Sequence, residues 1–499
     1  MAMLPRLSQR RDKTWAPPRP TPTWVALTLI VVLTIALPAL SLCLLAPVVP
    51  RLMYWTQFAI ALVYTGTSAM ILYEGLLALP RPRSGNGTIP DAEDLPMCTA
   101  IVAAYLPNEQ DIIVETLLHL LSEVDVPDDK YQVIVAYNTP HPLPVEEDLR
   151  RMAEADPRLV VLPVPGSRSK AQNVNAAIEV ATGEIVAVYD ADHWPNADCF
   201  RRAWSSLNNG VDMVQGRCVI RNEGTSWLTR LIAVEFDVMY ACSHQGRARL
   251  SGSGIFGGSN AYWRAEALRA IQLDDTMLTE DIDASVRALL AGQRMAHDRN
   301  IVSRELAPLR VAHWYTQRKR WSQGWFEVSL KHGCAVIKSR RLTLREKVLW
   351  WYLLSWREFF PLLSLQFFSL MTASLLLHYR VDWFAHGYFL ATSIVNLTSG
   401  AILVAITRAC SLPDTRKGHG QAYIAYALIG IAYTTVKTFV MLLAQYSQLS
   451  REHNWVATPR ATAGATAIVV DVSSPALHTA RPIEPSITSC AKTPTDTAV

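Results

Sequence analysis

Two aspartates one residue apart, Asp190 and Asp192, close the apolar run Ile185-Val186-Ala187-Val188. β-Branched residues in that run, with Thr182-Gly183 before it and Trp194-Pro195 after it, mark a buried strand. A strand buried on both faces belongs to a parallel sheet covered by helices, and such sheets bind ligands at the carboxyl ends of their strands. Two carboxylates this close repel each other unless a cation neutralises them. Mg²⁺ or Mn²⁺ held by one or two carboxylates together with substrate phosphates suits the pattern. A lone pair of this kind is as often a solvated loop, so the surroundings decide.

Four other stretches bear on the same chemistry. Ser169-Lys170-Ala171-Gln172-Asn173 opens a helix, and Lys170 adds its charge to the positive end of the helix dipole, a setting for a diphosphate. Leu278-Thr279-Glu280-Asp281 opens another, where acids gain from the dipole. A carboxylate placed opposite a metal is a natural general base. Gln317-Arg318-Lys319-Arg320-Trp321 combines a forked phosphate donor with a flat indole on which a sugar ring can stack. The same segment also reads as an amphipathic interfacial helix. Ser251 to Asn260 holds a formal GxGxxG, but it follows the polar segment Gln245 to Arg249 and not the first strand of a domain, which argues against dinucleotide binding. A glycine-rich wall that lets a bulky substrate approach the backbone is the better account.

These residues must be positioned by an α/β unit between membrane segments. Half of the 499 residues are apolar, which points to mixed membrane and water-facing parts. A net charge of +4 leaves no nucleic-acid footprint. The eight cysteines form no CxxC pair, which argues against zinc sites and a disulfide framework and fits a reducing compartment. The expected order is a basic cytosolic tail over 1–22, two transmembrane helices over 23–79, a linker over 80–95 and an α/β domain over 96–341. About three spans over 342–448, a segment over 449–460 and a disordered tail over 461–499 complete it. Strands are expected at Thr99 to Tyr105, Tyr131 to Tyr137 and Leu159 to Val164, with helices at Asp111 to Leu121 and Ala171 to Ala181.

The ordered set Lys170, Asp190-Ala191-Asp192, Phe256-Gly257-Gly258-Ser259, Thr279-Glu280-Asp281 and Gln317-Arg318-Lys319-Arg320-Trp321 resembles the membrane-embedded family 2 glycosyltransferases, the group of cellulose, chitin and hyaluronan synthases. The resemblance covers about Thr99 to Trp325 and implies a GT-A fold: an α/β, doubly wound cytosolic domain inserted between transmembrane helices. It implies an inverting, single-displacement hexosyltransferase with a UDP-sugar donor and Mg²⁺ or Mn²⁺. Carried over by position, Asp192 and Asp190 hold the metal, and Asp190 also contacts the nucleotide. Asp281, with Glu280 beside it, supplies the base. Tyr105, Glu109, Asn138, Lys170, Gln317 and Arg320 bind the donor, while Phe256, Gly257, Gly258, Ser259 and Trp321 face the acceptor. Where many relatives carry an Asp pair after the second strand this chain has Tyr137-Asn138-Thr139-Pro140, so a neutral amide is expected there. Trp455, Thr458 and Arg460 resemble the family's gating segment, which would have to face the cytosol. Three spans after the α/β domain would put it outside, so a crossing miscounted between Val348 and Tyr379 is the expectation. No cyclic-dinucleotide-binding domain is expected after Arg460.

The resulting expectation is a multi-pass protein of the plasma membrane, with its catalytic domain in the cytosol and lipids as neighbours. It would be a processive polysaccharide synthase that elongates a glycan. The alternatives are a non-processive transferase acting on a lipid acceptor and a catalytically dead membrane scaffold.

Overall fold

The computed structural model describes residues 21–80, 89–380 and 387–452. Most of the N-terminal tail, linker residues 81–88, the tail from 461 and the gating candidates Trp455, Thr458 and Arg460 lie outside the described residues.

Eight strands form one mixed sheet: β1 (Cys98–Tyr105), β2 (Tyr131–Asn138), β3 (Leu159–Pro163), β4 (Ile185–Asp190), β5 (Trp194–Pro195), β6 (Met213–Ile220), β7 (Ala261–Arg264) and β8 (Met295–Glu305), in the spatial order β3-β2-β1-β4-β7-β6-β8-β5. β1 to β4 pair in parallel, and β6 pairs in parallel with β8. Along β1, Ile101 and Ala103 face one apolar layer while Ala100 and Val102 face the other, the alternation of a strand buried on both sides. β7 runs antiparallel to both neighbours, β4 and β6. It starts beside Ser259, whose hydroxyl accepts from the Asp190 N–H at 3.0 Å at the carboxyl end of β4, and runs back against β4.

Five helices are long and apolar enough to cross a membrane: α1 (Thr23–Leu45), α2 (Leu52–Ala78), then, after the α/β domain, α8 (Leu344–Leu376), α9 (Gly387–Cys410) and α10 (Gly420–Leu449). Between them, α3 (Lys170–Val180), α4 (Trp227–Phe236), α5 (Gln245–Ser251), α6 (Glu280–Ala291) and α7 (Val311–Lys338) frame the site.

α2 is pinned to the α/β domain. Glu74 accepts a fork from Arg247 at 3.0 and 3.1 Å, and a Cβ on Gly246 would sit 1.8 Å from the Glu74 carbonyl oxygen. At the other end of α2, Met53 and Ile60 pack on Leu370 and Ala373 of α8, and Tyr54 meets Phe389 of α9. The near ends of α2 and α9 meet at Ala78 and Cys410.

α10 behaves differently. At its start Tyr423 bonds Ser411 at 2.6 Å and also Asp237 of the α/β side. At its end Gln448 accepts from Gln323 of α7 at 3.1 Å. Both ends of this helix therefore rest on elements beside the catalytic domain.

Candidate active site

Sheet register brings the donor-side candidates together. Tyr105 pairs with Asn138, and Ala103 with Asp190, so all three strands end at one edge. Behind them Asn173 of α3 donates to the Ala104 carbonyl at 3.1 Å and to the Asn138 carbonyl oxygen at 2.8 Å. Asn138 in turn donates to the Ser167 carbonyl at 3.1 Å. The two backbone carbonyls thus set the orientation of both amides.

Lys170 sits at the first position of α3, after Ser169 caps the helix by accepting from the Gln172 N–H at 3.2 Å. Its ammonium pairs with Asp190 and donates to the Gly258 carbonyl at 2.6 Å. Burial would weaken this lysine's hold on its proton, but Asp190, Glu280 and Asp281 around it raise its pKa.

Asp192 is fully buried and accepts from the Leu306 N–H at 2.9 Å. Ligand atoms of Asp190, Asp192 and His193 lie within 4.8 Å of one another. The His193 ring nitrogens face the Ser303 hydroxyl at 3.0 Å and Glu305 at 2.7 Å. With both nitrogens so engaged, the two aspartates are the better seat for a divalent cation, and the His193–Glu305 pair backs them. Two hard carboxylate oxygens at a strand tip suit Mg²⁺ or Mn²⁺.

Opposite, α6 begins at Glu280 with three acids in its first turn, where the helix dipole favours them. Asp281 accepts from the Ile282 N–H at 2.8 Å. Burial, then the neighbouring Glu280 charge, push its carboxyl up to about 7, with Lys170 and Arg320 pulling the other way. Gly324 of α7 permits this placement, because a Cβ there would lie 2.5 Å from the Thr279 hydroxyl at the start of α6.

α7 carries Gln317, Arg320 and Trp321. The Gln317 side-chain oxygen accepts from Arg318 at 2.8 Å, and the Arg318 guanidinium lies 4.3 Å from the centre of the Trp321 ring.

Tyr105, Glu109, Asn138, Lys170, Asp190, Gly257, Gly258, Ser259, Glu280, Asp281, Gln317, Arg320 and Trp321 all line one cavity of about 2040 Å³. It continues between the membrane helices, past Tyr64 and Ser68 of α2, Trp356 of α8, Asn396 of α9 and Gly430 of α10.

One expectation is corrected here. Phe256 is fully buried with its ring edge-on to Trp263 at 5.6 Å, so it is a core residue and not part of the acceptor wall. Two nearby glycines are also required by close packing within the protein. A Cβ on Gly258, which has φ +85°, would lie 2.8 Å from an Asp281 carboxylate oxygen, and one on Gly254 would lie 2.2 Å from the Ala296 carbonyl oxygen. The sequence reading missed His193, Glu305, Arg318 and Glu235. His193, adjacent to Asp192, and Arg318, inside the Gln317-to-Trp321 motif, carried a local signal, while Glu305 and Glu235 carried none.

An α/β sheet that brings a DxD, an opposed carboxylate and the lysine-bearing start of α3 to one edge has the arrangement of a GT-A fold. Residues 185–406 match the sequence profile of the family described as Glycosyl transferase family group 2. A probable glucomannan 4-beta-mannosyltransferase of Arabidopsis thaliana is 26% identical over 33% of this chain and 31% of its own length. A poly-beta-1,6-N-acetyl-D-glucosamine synthase of Staphylococcus epidermidis is 26% identical over 49% of this chain and 58% of its own. The chain thus spans under two thirds of both relatives. A beta-monoglucosyldiacylglycerol synthase of Synechocystis is 26% identical over 65% of this chain and 72% of its own. The solved mannosyltransferase PcManGT of Pyrobaculum calidifontis, in complex with GDP-Man and Mn²⁺, shares the fold with a TM-score of 0.53 and 21% identity, covering 81% of this chain and all of that one. The profile match and the relatives support a family 2 glycosyltransferase, and the fold neighbour and the long apolar helices agree with that.

Proposed function

We propose that the protein is a processive polysaccharide synthase, transferring hexose from a UDP-sugar to a growing glycan with inversion. The observation that carries this reading is the single cavity lined by Asp190 and Lys170, by Asp281 and Trp321, and by Ser68 and Asn396 of the membrane helices α2 and α9. Hydroxyl, amide and indole side chains along such a path suit a hydrated glycan. Asp190 and Asp192 would hold Mg²⁺ or Mn²⁺, which would offset charge on the leaving diphosphate. Lys170, Gln317 and Arg320 would meet that diphosphate from the protein side. Asp281 would take the acceptor hydroxyl proton from the opposite face. Asn138, Tyr105 and Glu109 would border the nucleotide.

Helix contacts support a reading with four crossings. α1, α2, α8 and α9 would span the bilayer, while α10 would lie along the cytosolic side, since its start bonds Ser411 and Asp237 and its end bonds Gln323 of α7.

A second reading has its own support. The lipid-glucosylating relative of Synechocystis aligns over a larger share of both chains than the two polysaccharide-forming ones. The test is to incubate purified protein with common UDP- and GDP-sugars and Mg²⁺ or Mn²⁺, then measure released nucleoside diphosphate and product size. A long ladder on a gel is expected. One glycolipid band would favour the lipid acceptor, and no release from any donor would overturn both.

A further inference from the structure

Glu235, the penultimate residue of α4, is buried and has no assigned role. Its carboxylate accepts from Arg318 of α7 at 2.7 Å, from Lys437 of α10 at 2.7 Å and from the Tyr433 hydroxyl of α10 at 2.8 Å. Tyr433 is itself held by the Trp314 indole N–H at 3.2 Å. Burial alone would raise the Glu235 carboxyl's pKa, but Arg318 and Lys437 outweigh it and hold the group well below the usual carboxylate range. One anion therefore joins three helices, and Glu235, Arg318 and Lys437 all face the cavity.

Arg318 carries the effect to the site. Its guanidinium donates to the Gln317 side chain at 2.8 Å and lies over Trp321, 4.3 Å from the ring centre. A guanidinium pinned on one edge by a carboxylate presents a fixed plane, and an indole stacked on that plane loses its freedom to turn. We propose that Glu235 is a positioning residue that, through Arg318, fixes the Trp321 indole at the orientation in which the acceptor sugar stacks, so that it governs how transfer competes with hydrolysis of the donor. This rests on the transferase reading above.

The test uses the full-length protein and the radiolabelled nucleotide sugar that gives most nucleoside diphosphate in the donor screen, and follows label in high-mass glycan against label in free sugar. In Glu235→Gln the glycan-to-free-sugar ratio is expected to fall about tenfold, with total nucleotide release within about twofold of wild type, the scale of a lost desolvated cation–π contact. Removing one partner of a buried pair can unfold a protein. Arg318→Lys keeps the positive charge beside Glu235 but loses the planar face over Trp321 and the guanidinium donation to Gln317, and it should lower the ratio by a similar factor. A purely structural role would reduce glycan and free sugar together and leave the ratio unchanged. An unchanged ratio in Arg318→Lys, or a parallel loss of both products, overturns the proposal alone. Absence of release from any donor by wild type overturns the transferase reading and this proposal with it.

Discussion

Asp281 should set an ascending limb in the pH–rate profile, and Glu280 should set where that limb falls. The carboxyl is pushed up to about 7, first by burial and next by the Glu280 charge. A general base works ionised, so activity rises with pH. With a pKa of about 7, only about a tenth of the sites are ionised at pH 6, and kcat/KM there should be about tenfold below its plateau. Glu280→Gln removes the like charge while keeping the size of the side chain, so the limb should move to lower pH and activity at pH 6 should climb toward the variant's own plateau. The measurement is initial nucleoside diphosphate release from about pH 5.5 to about 8.5 at saturating Mn²⁺ and low donor. A flat profile across that range, or a limb that Glu280→Gln leaves in place, would refute the assignment of Asp281 as base. The same shift has a stability counterpart. A carboxyl with a raised pKa in the folded state binds its proton more tightly there than in the unfolded chain. Its contribution is therefore fully present below the ordinary carboxyl range and is lost as pH rises through about 7. Asp281→Asn should accordingly raise Tm more at pH 8 than at pH 5, read by thermal unfolding in detergent.

Three further outcomes are expected. Gly324→Ala places a Cβ 2.4 Å from the Thr279 methyl carbon, an overpacking cost of about 1–3 kcal/mol, so transfer should drop sharply as α6 shifts while a folded protein is still recovered by gel filtration. Asp192→Ala should abolish metal-dependent donor hydrolysis, and hydrolysis that persists in excess chelator would remove the metal from this site. Gly246→Ala would drive a Cβ to 1.8 Å from the Glu74 carbonyl oxygen, so α2 should separate from the α/β domain, seen as a lower Tm and new proteolytic cleavage near residue 80.

Local chemistry made much of this protein legible from its sequence. Strand runs such as Ile185-Val186-Ala187-Val188 declare themselves because burial on both faces demands an unbroken apolar string, and observed β1 to β3 fall within a residue of their expected bounds. The DxD, Lys170, the acids at the head of α6 and the Gln317-to-Trp321 segment were visible because each is a short pattern on one element. Tertiary structure decided the rest, since the deciding partners are far apart in the chain. Glu305 lies 112 residues from the His193 that it holds. Glu235 lies 83 residues from Arg318 and 202 from Lys437. Phe256 reads as a site residue by its place in a motif, yet packing against Trp263 makes it core. α10 has the hydropathy of a membrane span, and hydropathy measures only what a segment tolerates around it. What that helix touches at its two ends, through the bonds from Tyr423 to Ser411 and from Gln323 to Gln448, is contained in no window along the sequence.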